Sequence, residues 1–246
     1  MDHLQTMIFA HRGASNYAPE NTMPAFELAY QMEAEGIETD VQLLKDGIPV
    51  LIHDEDVRRT TNGRGFIIDH RLEELLNLDA GAYFAPKFKG TRILTLDQFL
   101  EWACDKPLHL NLELKNNKIA YEEIEIKVLD AIRNYNVKKR TTISSFNPES
   151  VKRMRQLDQT LDVALLRSRK HPNLVGYAKE LGASSLHVKH TLLTPSLVRA
   201  CKAANLQLRV YTVNRTILIK KCLKLACSGI ITDVPDKAHH IRNNFK

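Results

Sequence analysis

The feature that most constrains the fold of this chain is a regular alternation between two kinds of hydrophobic pattern. Short apolar runs, often rich in β-branched residues, predict strands. Stretches with apolar residues at helical spacing separate most of these runs. Strands that alternate with helices pair in parallel, so the pattern predicts an α/β fold with a parallel sheet. The strand candidates are residues 7–10, 37–43, 49–52, 108–114, 141–145, 161–166, 185–188, 206–213 and 229–232.

Capping residues support several of the helical stretches between the strands. Asn147 and Thr194 each precede a proline, so a capping side chain stands before a proline at the first helical position. Asn21 and Asn214 precede helical stretches too, and we expect them to act as caps in the same way. The helix candidates are residues 21–33, 96–103, 121–134, 148–157, 173–181, 195–204 and 215–225.

The number of strand and helix units indicates the architecture. About eight such units in 246 residues fit a closed (β/α)8 TIM barrel better than an open doubly wound sheet, although the count alone permits both. We therefore predict one barrel domain over residues 1–246. Residues 54–106 break the rhythm with a polar turn, a charged helix candidate and an aromatic stretch. We interpret them as a small insertion over the barrel mouth, after the strand that ends at His53.

Composition narrows the class of protein. The chain is 43% hydrophobic and 26% charged, as is usual for globular proteins. No apolar run approaches the roughly 20 residues needed to cross a bilayer. Residues 1–9 lack a basic region followed by an apolar stretch, so we expect a cytoplasmic protein without membrane insertion.

The four cysteines lack metal-ligand spacing and are predicted to be free thiols. A net charge of +6 favours anionic ligands but also fits solvated helix faces.

Acidic residues interrupt two of the apolar strand candidates. Glu38 and Asp40 are two residues apart, so side-chain alternation places both carboxylates on one face of a strand. The same alternation groups Asn111, Glu113 and Lys115 opposite the leucines between them. In a barrel the apolar face packs against helices, so both strands direct their acids into the barrel interior. Neighbouring like charges repel, and a divalent cation is the simplest compensation.

Two histidines stand directly after strand candidates. His11 follows the first strand, and His53 follows the strand over residues 49–52. Barrel enzymes keep their catalytic groups at the C-terminal ends of the strands. Histidine titrates near neutral pH, so one ring can accept a proton while another donates one, each step contributing a factor of roughly 10² to 10⁴. We therefore predict His11 and His53 as an acid and base pair, with either order of roles.

Oxygen ligands alone point to a hard cation. Glu38, Asp40 and Glu113 offer carboxylates without thiols, which select Mg²⁺ or Ca²⁺. A bound phosphate and waters would complete the shell. Arg12 and Lys115 can then bind the remaining phosphate oxygens, arginine with a planar fork and lysine as a point charge. Each residue has a structural explanation by itself, but their joint placement at strand ends favours a catalytic site.

A series of short motifs runs along nearly the whole chain. They are HRGA at 11–14, PENT at 19–22, ETDV at 38–41, KDG at 45–47, VLIHD at 50–54, NLELK at 111–115, TVN at 212–214 and GIITDVP at 229–235. Together these motifs resemble the glycerophosphodiester phosphodiesterase family.

The resemblance implies both a fold and an activity. The fold is a (β/α)8 barrel with an insertion after the second histidine strand. The activity is hydrolysis of a glycerophosphodiester to glycerol 3-phosphate and an alcohol, with His11 and His53 as acid and base. By the same resemblance, one divalent metal ion is held by Glu38, Asp40 and Glu113.

The resemblance also implies residues that bind the substrate. Arg12 and Lys115 would meet the phosphate. Tyr211 stands where the family commonly has tryptophan before the Thr-Val-Asn motif. If this position lines the glycerol pocket, tyrosine keeps the aromatic surface and adds a hydroxyl.

Two other functions stay open at this point. A lysophospholipase D would act on lipid-bearing diesters, and the lack of a membrane-anchoring segment counts mildly against it. A non-catalytic module for phosphate or nucleic acid would show basic clusters with interleaved aromatics. Residues 138–140 are basic but have no aromatic ladder, and this function leaves the acids unexplained. We expect a small-molecule substrate and no nucleic-acid partner, and we allow for a homodimer.

Overall fold

A computed structural model gives the structure of residues 6–245, in which strands and helices alternate as predicted. The strands are β1 (Met7–His11), β2 (Gly36–Leu43), β3 (Pro49–Leu51), β4 (His109–Leu114), β5 (Thr141–Ser145), β6 (Asp162–Arg167), β7 (Ser185–Lys189), β8 (Gln207–Tyr211) and β9 (Gly229–Thr232). The helices are α1 (Met23–Gln31), α2 (Leu72–Leu75), α3 (Leu96–Ala103), α4 (Ile124–Asn134), α5 (Pro148–Leu157), α6 (Leu174–Glu180), α7 (Pro195–Ala203), α8 (Thr216–Lys224) and α9 (Pro235–Asn243). Single 3-10 turns lie at Val57–Arg59, Ile67–Asp69, Pro86–Phe88, Lys138–Arg140 and His190–Leu192.

Eight of the strands form a closed parallel barrel. Their order around the ring is β1, β9, β8, β7, β6, β5, β4 and β2, and pairing between β1 and β2 closes it. Ala10 lies beside Ile37 on one side of β1 and beside Thr232 on the other. Parallel neighbours require long crossover connections, which the helices supply. The predicted (β/α)8 TIM barrel is confirmed.

The strand candidate over residues 49–52 does not belong to the barrel. β3 pairs antiparallel with β2, so that Val41 lies beside Leu51 and Leu43 beside Pro49. The expected parallel pairing is wrong here because residues 44–48 are too few for a crossover, which takes a dozen or more. The two strands form a hairpin instead. His53 therefore reaches the barrel mouth from a hairpin and not from the end of a barrel strand.

The main core fills the layer between the strands and the helices. Leu110, Leu112 and Leu114 of β4 are all fully buried in it, as the alternation predicts. Helices α1 and α3 contribute an aromatic group in which the ring centroids of Phe26 and Phe99 lie 4.7 Å apart. Because one face of each strand is committed to this core, the alternate residues must point into the barrel.

The insertion has a small core of its own, and both of its ends lie earlier in the chain than predicted. Its apolar cluster extends along the chain from Leu44 to Ile93, separate from the main core. Helix α3 packs into the main core through Phe99 and Leu100, so it is the barrel helix that follows β2. The part of the chain outside the barrel therefore begins with the β3 hairpin and ends before α3, in contrast to the predicted residues 54–106.

The structure also tests the predictions about membrane-spanning helices and about the cysteines. Between residues 6 and 245 no helix is long and apolar enough to cross a membrane. All four cysteines lie in this range and are free thiols, in agreement with the sequence analysis. Burial raises the pKa of the Cys201 thiol to about 11, so it stays protonated and unreactive at neutral pH.

Replacement of Phe26 by alanine should lower the free energy of unfolding by about 3–5 kcal/mol, because it removes buried surface and leaves a cavity. Phe26 is fully buried, whereas Ile217 on α8 is 69% exposed. Ile217→Ala is therefore the control and should change stability by less than about 0.5 kcal/mol. Urea denaturation of both variants measures the difference. Equal losses would mean that the aromatic group contributes little to the core.

Candidate active site

The register of three neighbouring strands brings the predicted site residues together. Along the ladder of β2 and β4, Glu38 lies beside Asn111 and Asp40 lies beside Glu113. On the other side of β2, Glu38 lies beside His11 of β1. All three strands run in the same direction, so their C-terminal ends meet at one rim. The polar side chains therefore converge within the upper part of the barrel.

The three predicted metal ligands form a compact and buried cluster. One carboxylate oxygen from each of Glu38, Asp40 and Glu113 lies within 4.8 Å of the others. Burial raises the pKa of Glu38 well above its ordinary value, and the charges of Asp40 and Glu113 add to that effect. Oxygen donors crowded in this way suit a hard divalent cation, whose charge would remove the repulsion. The residues present thus fit a Mg²⁺ or Ca²⁺ ion.

Lys115 offsets part of the negative charge. Its Nζ donates to Glu113 Oε1 at 2.9 Å and lies 3.7 Å from Asp40 Oδ1. Burial acts to lower the pKa of Lys115, but Glu113 and Asp40 hold it above the ordinary lysine value. Burial likewise acts to raise the pKa of Asp40, yet the charges of Arg12 and Lys115 keep it well below the usual range. Lys115 and Asp40 are therefore both charged at neutral pH.

Arg12 follows β1 in a tight turn. Its own φ is +58° and that of Gly13 is +81°, where a Cβ would meet the backbone of Ala25 at 2.6 Å. The guanidinium Nη1 donates to Glu20 Oε1 at 2.8 Å. Nε lies 3.1 Å from Asp40 Oδ2 but is not aligned for a hydrogen bond, so its buried N–H has no acceptor among residues 6–245. A phosphate oxygen is an acceptor that could satisfy such a charged donor.

His11 is oriented by a carboxylate from the far end of the chain. Its Nδ1 lies 2.6 Å from Asp233 Oδ1, and its Nε2 lies 4.0 Å from Glu38 Oε2. Asp233 also accepts hydrogen bonds from Ser15 and Asn214. Burial acts to raise the pKa of Asp233, but the hydrogen bond and charge of His11 hold it below its ordinary value. The ionised carboxylate therefore accepts the hydrogen of Nδ1 and leaves Nε2 beside the acid cluster.

His53 has a matching arrangement built by the hairpin. Its Nδ1 lies 2.6 Å from Asp54 Oδ1. The buried amide of Gln42 donates to the carbonyl oxygens of Ile52, His53 and Asp54, which fixes the backbone that carries the ring. Burial acts to raise the pKa of Asp54, but hydrogen bonds from Arg59 and His53 lower it to about 2. Both predicted catalytic histidines thus have one nitrogen held by a carboxylate.

Two asparagines predicted as helix caps belong to the site instead. Asn21 Nδ2 donates to Asp40 Oδ2 at 3.0 Å, and its Oδ1 accepts from Thr39 at 2.8 Å. Asn214 donates to Asp233 and therefore supports His11 indirectly. The capping prediction is wrong because helices α1 and α8 begin two residues after each asparagine, and the side-chain oxygens accept hydrogen bonds from Thr39 and Thr232. Their place in the PENT and TVN motifs was the available signal.

Tyr211 lies at the end of β8 near the same rim. Its ring meets that of Phe146 edge-on, with 6.1 Å between the centroids. Burial raises the pKa of Tyr211 well above its ordinary value, and the charge of Glu113 adds to the shift. The buried hydroxyl has no hydrogen-bond partner within residues 6–245. An aromatic ring and a hydroxyl without a partner among residues 6–245 therefore lie near Glu113 of the acid cluster.

The fold and the site together indicate a class of protein, an enzyme built on a TIM barrel. Barrel enzymes gather their catalytic groups at the C-terminal face, and here two oriented histidines, an acid cluster and two cations occupy that face. Paired imidazoles beside a cation site suit acid–base catalysis on an anionic substrate.

Comparison with known proteins identifies the family. Residues 11–237 match the model of the glycerophosphoryl diester phosphodiesterase family. A glycerophosphodiester phosphodiesterase of Caldanaerobacter subterraneus subsp. tengcongensis is 42% identical over 95% of this chain and 96% of its own. The enzyme of the same description from Bacillus altitudinis is 38% identical over 98% of this chain and 100% of its own. The chain belongs to this family and is accordingly an enzyme, a glycerophosphodiester phosphodiesterase.

A solved structure agrees with the assignment. An Oleispira antarctica phosphodiesterase, determined in complex with the product sn-glycerol-3-phosphate, superposes with a TM-score of 0.91. It is 28% identical to this chain, and the alignment covers 97% of both chains.

Mg²⁺ or Ca²⁺ should raise the melting temperature of metal-free protein, because an ion bound only by the folded state stabilises it by about 2.7 kcal/mol at a hundred times its Kd. Glu38→Gln should lose most of that rise, because one ligand is weakened. Glu27→Gln removes an exposed acid of α1 and should keep the full rise. Differential scanning calorimetry with and without each cation measures the effect. An unchanged rise in Glu38→Gln would exclude Glu38 as a ligand.

Proposed function

We propose that the protein hydrolyses a glycerophosphodiester to glycerol 3-phosphate and an alcohol, with His11 and His53 as the acid and base and one divalent metal ion as cofactor. The observation that carries the proposal is the pair of histidines whose Nδ1 atoms each lie 2.6 Å from a carboxylate oxygen, next to three buried acids. The product bound in the Oleispira antarctica relative supports the same product here.

Glu38, Asp40 and Glu113 hold the metal, Mg²⁺ or Ca²⁺, in this proposal. The bound ion supplies positive charge that polarises the phosphoryl group. Arg12 and Lys115 bind the phosphate oxygens, and the unsatisfied Nε–H of Arg12 supports that role. Both cations stay charged because the neighbouring acids hold their pKa values above the ordinary range.

The two histidines divide the proton transfers. One Nε2 removes the proton from the attacking oxygen, which is either water or the substrate hydroxyl next to the ester. Attack by the hydroxyl gives a cyclic phosphate first, and water then opens that ring to glycerol 3-phosphate. The other Nε2 delivers a proton to the oxygen of the departing alcohol, so the bond from phosphorus to that oxygen breaks as the new one forms. Asp233 and Asp54 keep each ring in the orientation and tautomer that this requires.

Tyr211 lines the glycerol pocket with its ring and offers its hydroxyl to the glycerol oxygens. A carbon-rich face and one free hydroxyl suit a small polyol. We therefore propose a small-molecule diester as substrate. The cytoplasmic location and the homodimer stay predictions of the sequence.

Chelator-stripped protein should release no glycerol 3-phosphate from glycerophosphocholine, and Mg²⁺ or Ca²⁺ should restore release, because the acid cluster lacks its compensating charge without the ion. A coupled glycerol 3-phosphate assay with each cation added separately measures the product. His11→Ala with metal is the control and should stay inactive. Turnover without any metal would contradict the proposed cofactor. A strong preference for micellar lysolipid would favour lysophospholipase D activity instead.

His53→Ala should lower kcat by at least about a hundredfold, because one of the two proton transfers loses its catalyst. His239→Ala is the matched control, since His239 lies on α9 and pairs with Glu33 at 3.8 Å. Circular dichroism establishes that both variants are folded. Near-normal turnover in folded His53→Ala would remove His53 from the mechanism.

A further inference from the structure

Arg59, a residue of the insertion, connects the segment before α1 with the segment that carries His53. Arg59 ends the short turn Val57–Arg59, outside the barrel. Its Nη1 and Nη2 donate to Glu20 Oε2 and Oε1, both at 2.8 Å, which is a bidentate pair. Its Nε donates to Asp54 Oδ2. One guanidinium thus contacts two carboxylates that belong to separate segments of the chain.

Each of those carboxylates has a second partner in the site. Glu20 Oε1 also accepts from Arg12 Nη1 at 2.8 Å. Asp54 Oδ1 lies 2.6 Å from His53 Nδ1. The charged groups therefore form one chain of contacts from Arg12 through Glu20, Arg59 and Asp54 to His53. One end of this chain of contacts is Arg12, which is proposed to bind phosphate. The other end is His53, which is proposed to transfer a proton.

The geometry indicates a role in placement more than in stability. The side chain of Arg59 is 45% exposed, and ion pairs at that exposure contribute little to the free energy of unfolding. A planar guanidinium that makes three aligned hydrogen bonds does fix the relative position of the groups that accept them. A change of about 1 Å in the position of a catalytic group can cost about a hundredfold in rate.

The neighbouring arginine shows what a merely local pair looks like. Arg58 is mostly exposed, and its Nε and backbone N–H both donate to Asp56, two residues away. Both contacts of Arg58 therefore stay within one turn of the chain. The contacts of Arg59 span from the segment before α1 to the hairpin that carries His53, so they join parts of the site that the barrel strands alone do not join.

We propose that Arg59 is a positioning residue, which holds the insertion against the barrel so that His53 faces the phosphate bound by Arg12. This inference rests on the proposed roles of His53 and Arg12. It assigns to the insertion a part in catalysis besides covering the mouth. Loss of Arg59 frees Asp54 and Glu20 from their shared partner, so His53 and Arg12 lose their fixed separation.

Arg59→Ala should lower kcat by about tenfold to a hundredfold and raise KM several-fold, because both ends of the chain of contacts loosen. Arg58→Ala is the matched control and should keep both constants within about twofold. Steady-state kinetics with glycerophosphocholine at saturating metal measures the difference. Wild-type constants in folded Arg59→Ala would overturn the inference.

Three further readouts separate positioning from a general effect on the fold. Guanidinium ion at millimolar concentration should restore part of the activity of Arg59→Ala and none of the activity of His53→Ala. Arg59→Lys keeps the charge but loses the fork, so its activity should fall between alanine and wild type. The double variant of Arg59→Ala and Glu20→Gln should lose less than the product of the two single losses, because both act through one contact. Additive losses together with no rescue would refute the positioning role.

The result also distinguishes this inference from the proposed function. An active His53→Ala would contradict the catalytic role of His53 within the proposed function. An inactive His53→Ala beside fully active Arg59 variants would overturn only the role of Arg59. If Arg59→Ala does not fold, Arg59→Lys and Glu20→Gln take its place, and wild-type activity in both of these folded variants would overturn the inference.

Discussion

The repulsion among three buried carboxylates is the constraint on which the rest of the site depends. Glu38, Asp40 and Glu113 are all nearly inaccessible to solvent. Like charges in the protein interior are poorly screened. Two fixed cations, Arg12 and Lys115, neutralise part of that charge, and three acids against two cations still leave an excess. The fold can hold such a cluster because Glu38 and Asp40 share β2, and Glu113 lies beside Asp40 on the neighbouring strand β4. The hydrogen-bonded ladder of these two strands keeps the acids within reach of a single ion.

Much of this arrangement is written in local patterns of the sequence. The two-residue spacing of Glu38 and Asp40 decides that they share a face, because side chains alternate along any strand. The leucines around Glu113 decide which face is buried against helices. Alternation of strands and helices then predicts parallel neighbours, and parallel neighbours end at one rim. The acid cluster could therefore be predicted from periodicity, and the number of repeats favoured the (β/α)8 barrel over an open sheet.

The parts that could not be predicted depend on contacts between distant segments or on competition between local rules. His11 and Asp233 are 222 residues apart in sequence, and no spacing rule connects them. Asn21 stands where a helix cap is expected, yet its Oδ1 accepts from Thr39 and its Nδ2 donates to Asp40, so both ends of the amide are bound to β2. The hairpin direction of β3 was missed because its apolar run resembles a buried barrel strand, and only the short connection before it excludes that pairing.

The insertion is best understood from the position of His53. A histidine at the end of a barrel strand would be placed by the barrel itself, as His11 is. His53 stands on a hairpin whose apolar residues are divided between the two cores: Leu51 packs into the main core, whereas Val50 and Ile52 pack into the small one. In the proposed mechanism, the barrel and the insertion must therefore hold the acid and the base of one reaction at a fixed separation. Gln42, from the barrel strand β2, fixes the backbone of the hairpin at His53, and Arg59 fixes its carboxylate partner Asp54. These polar contacts, together with the packing of Leu51 into the main core, thus hold the hairpin against the barrel in place of a continuous strand.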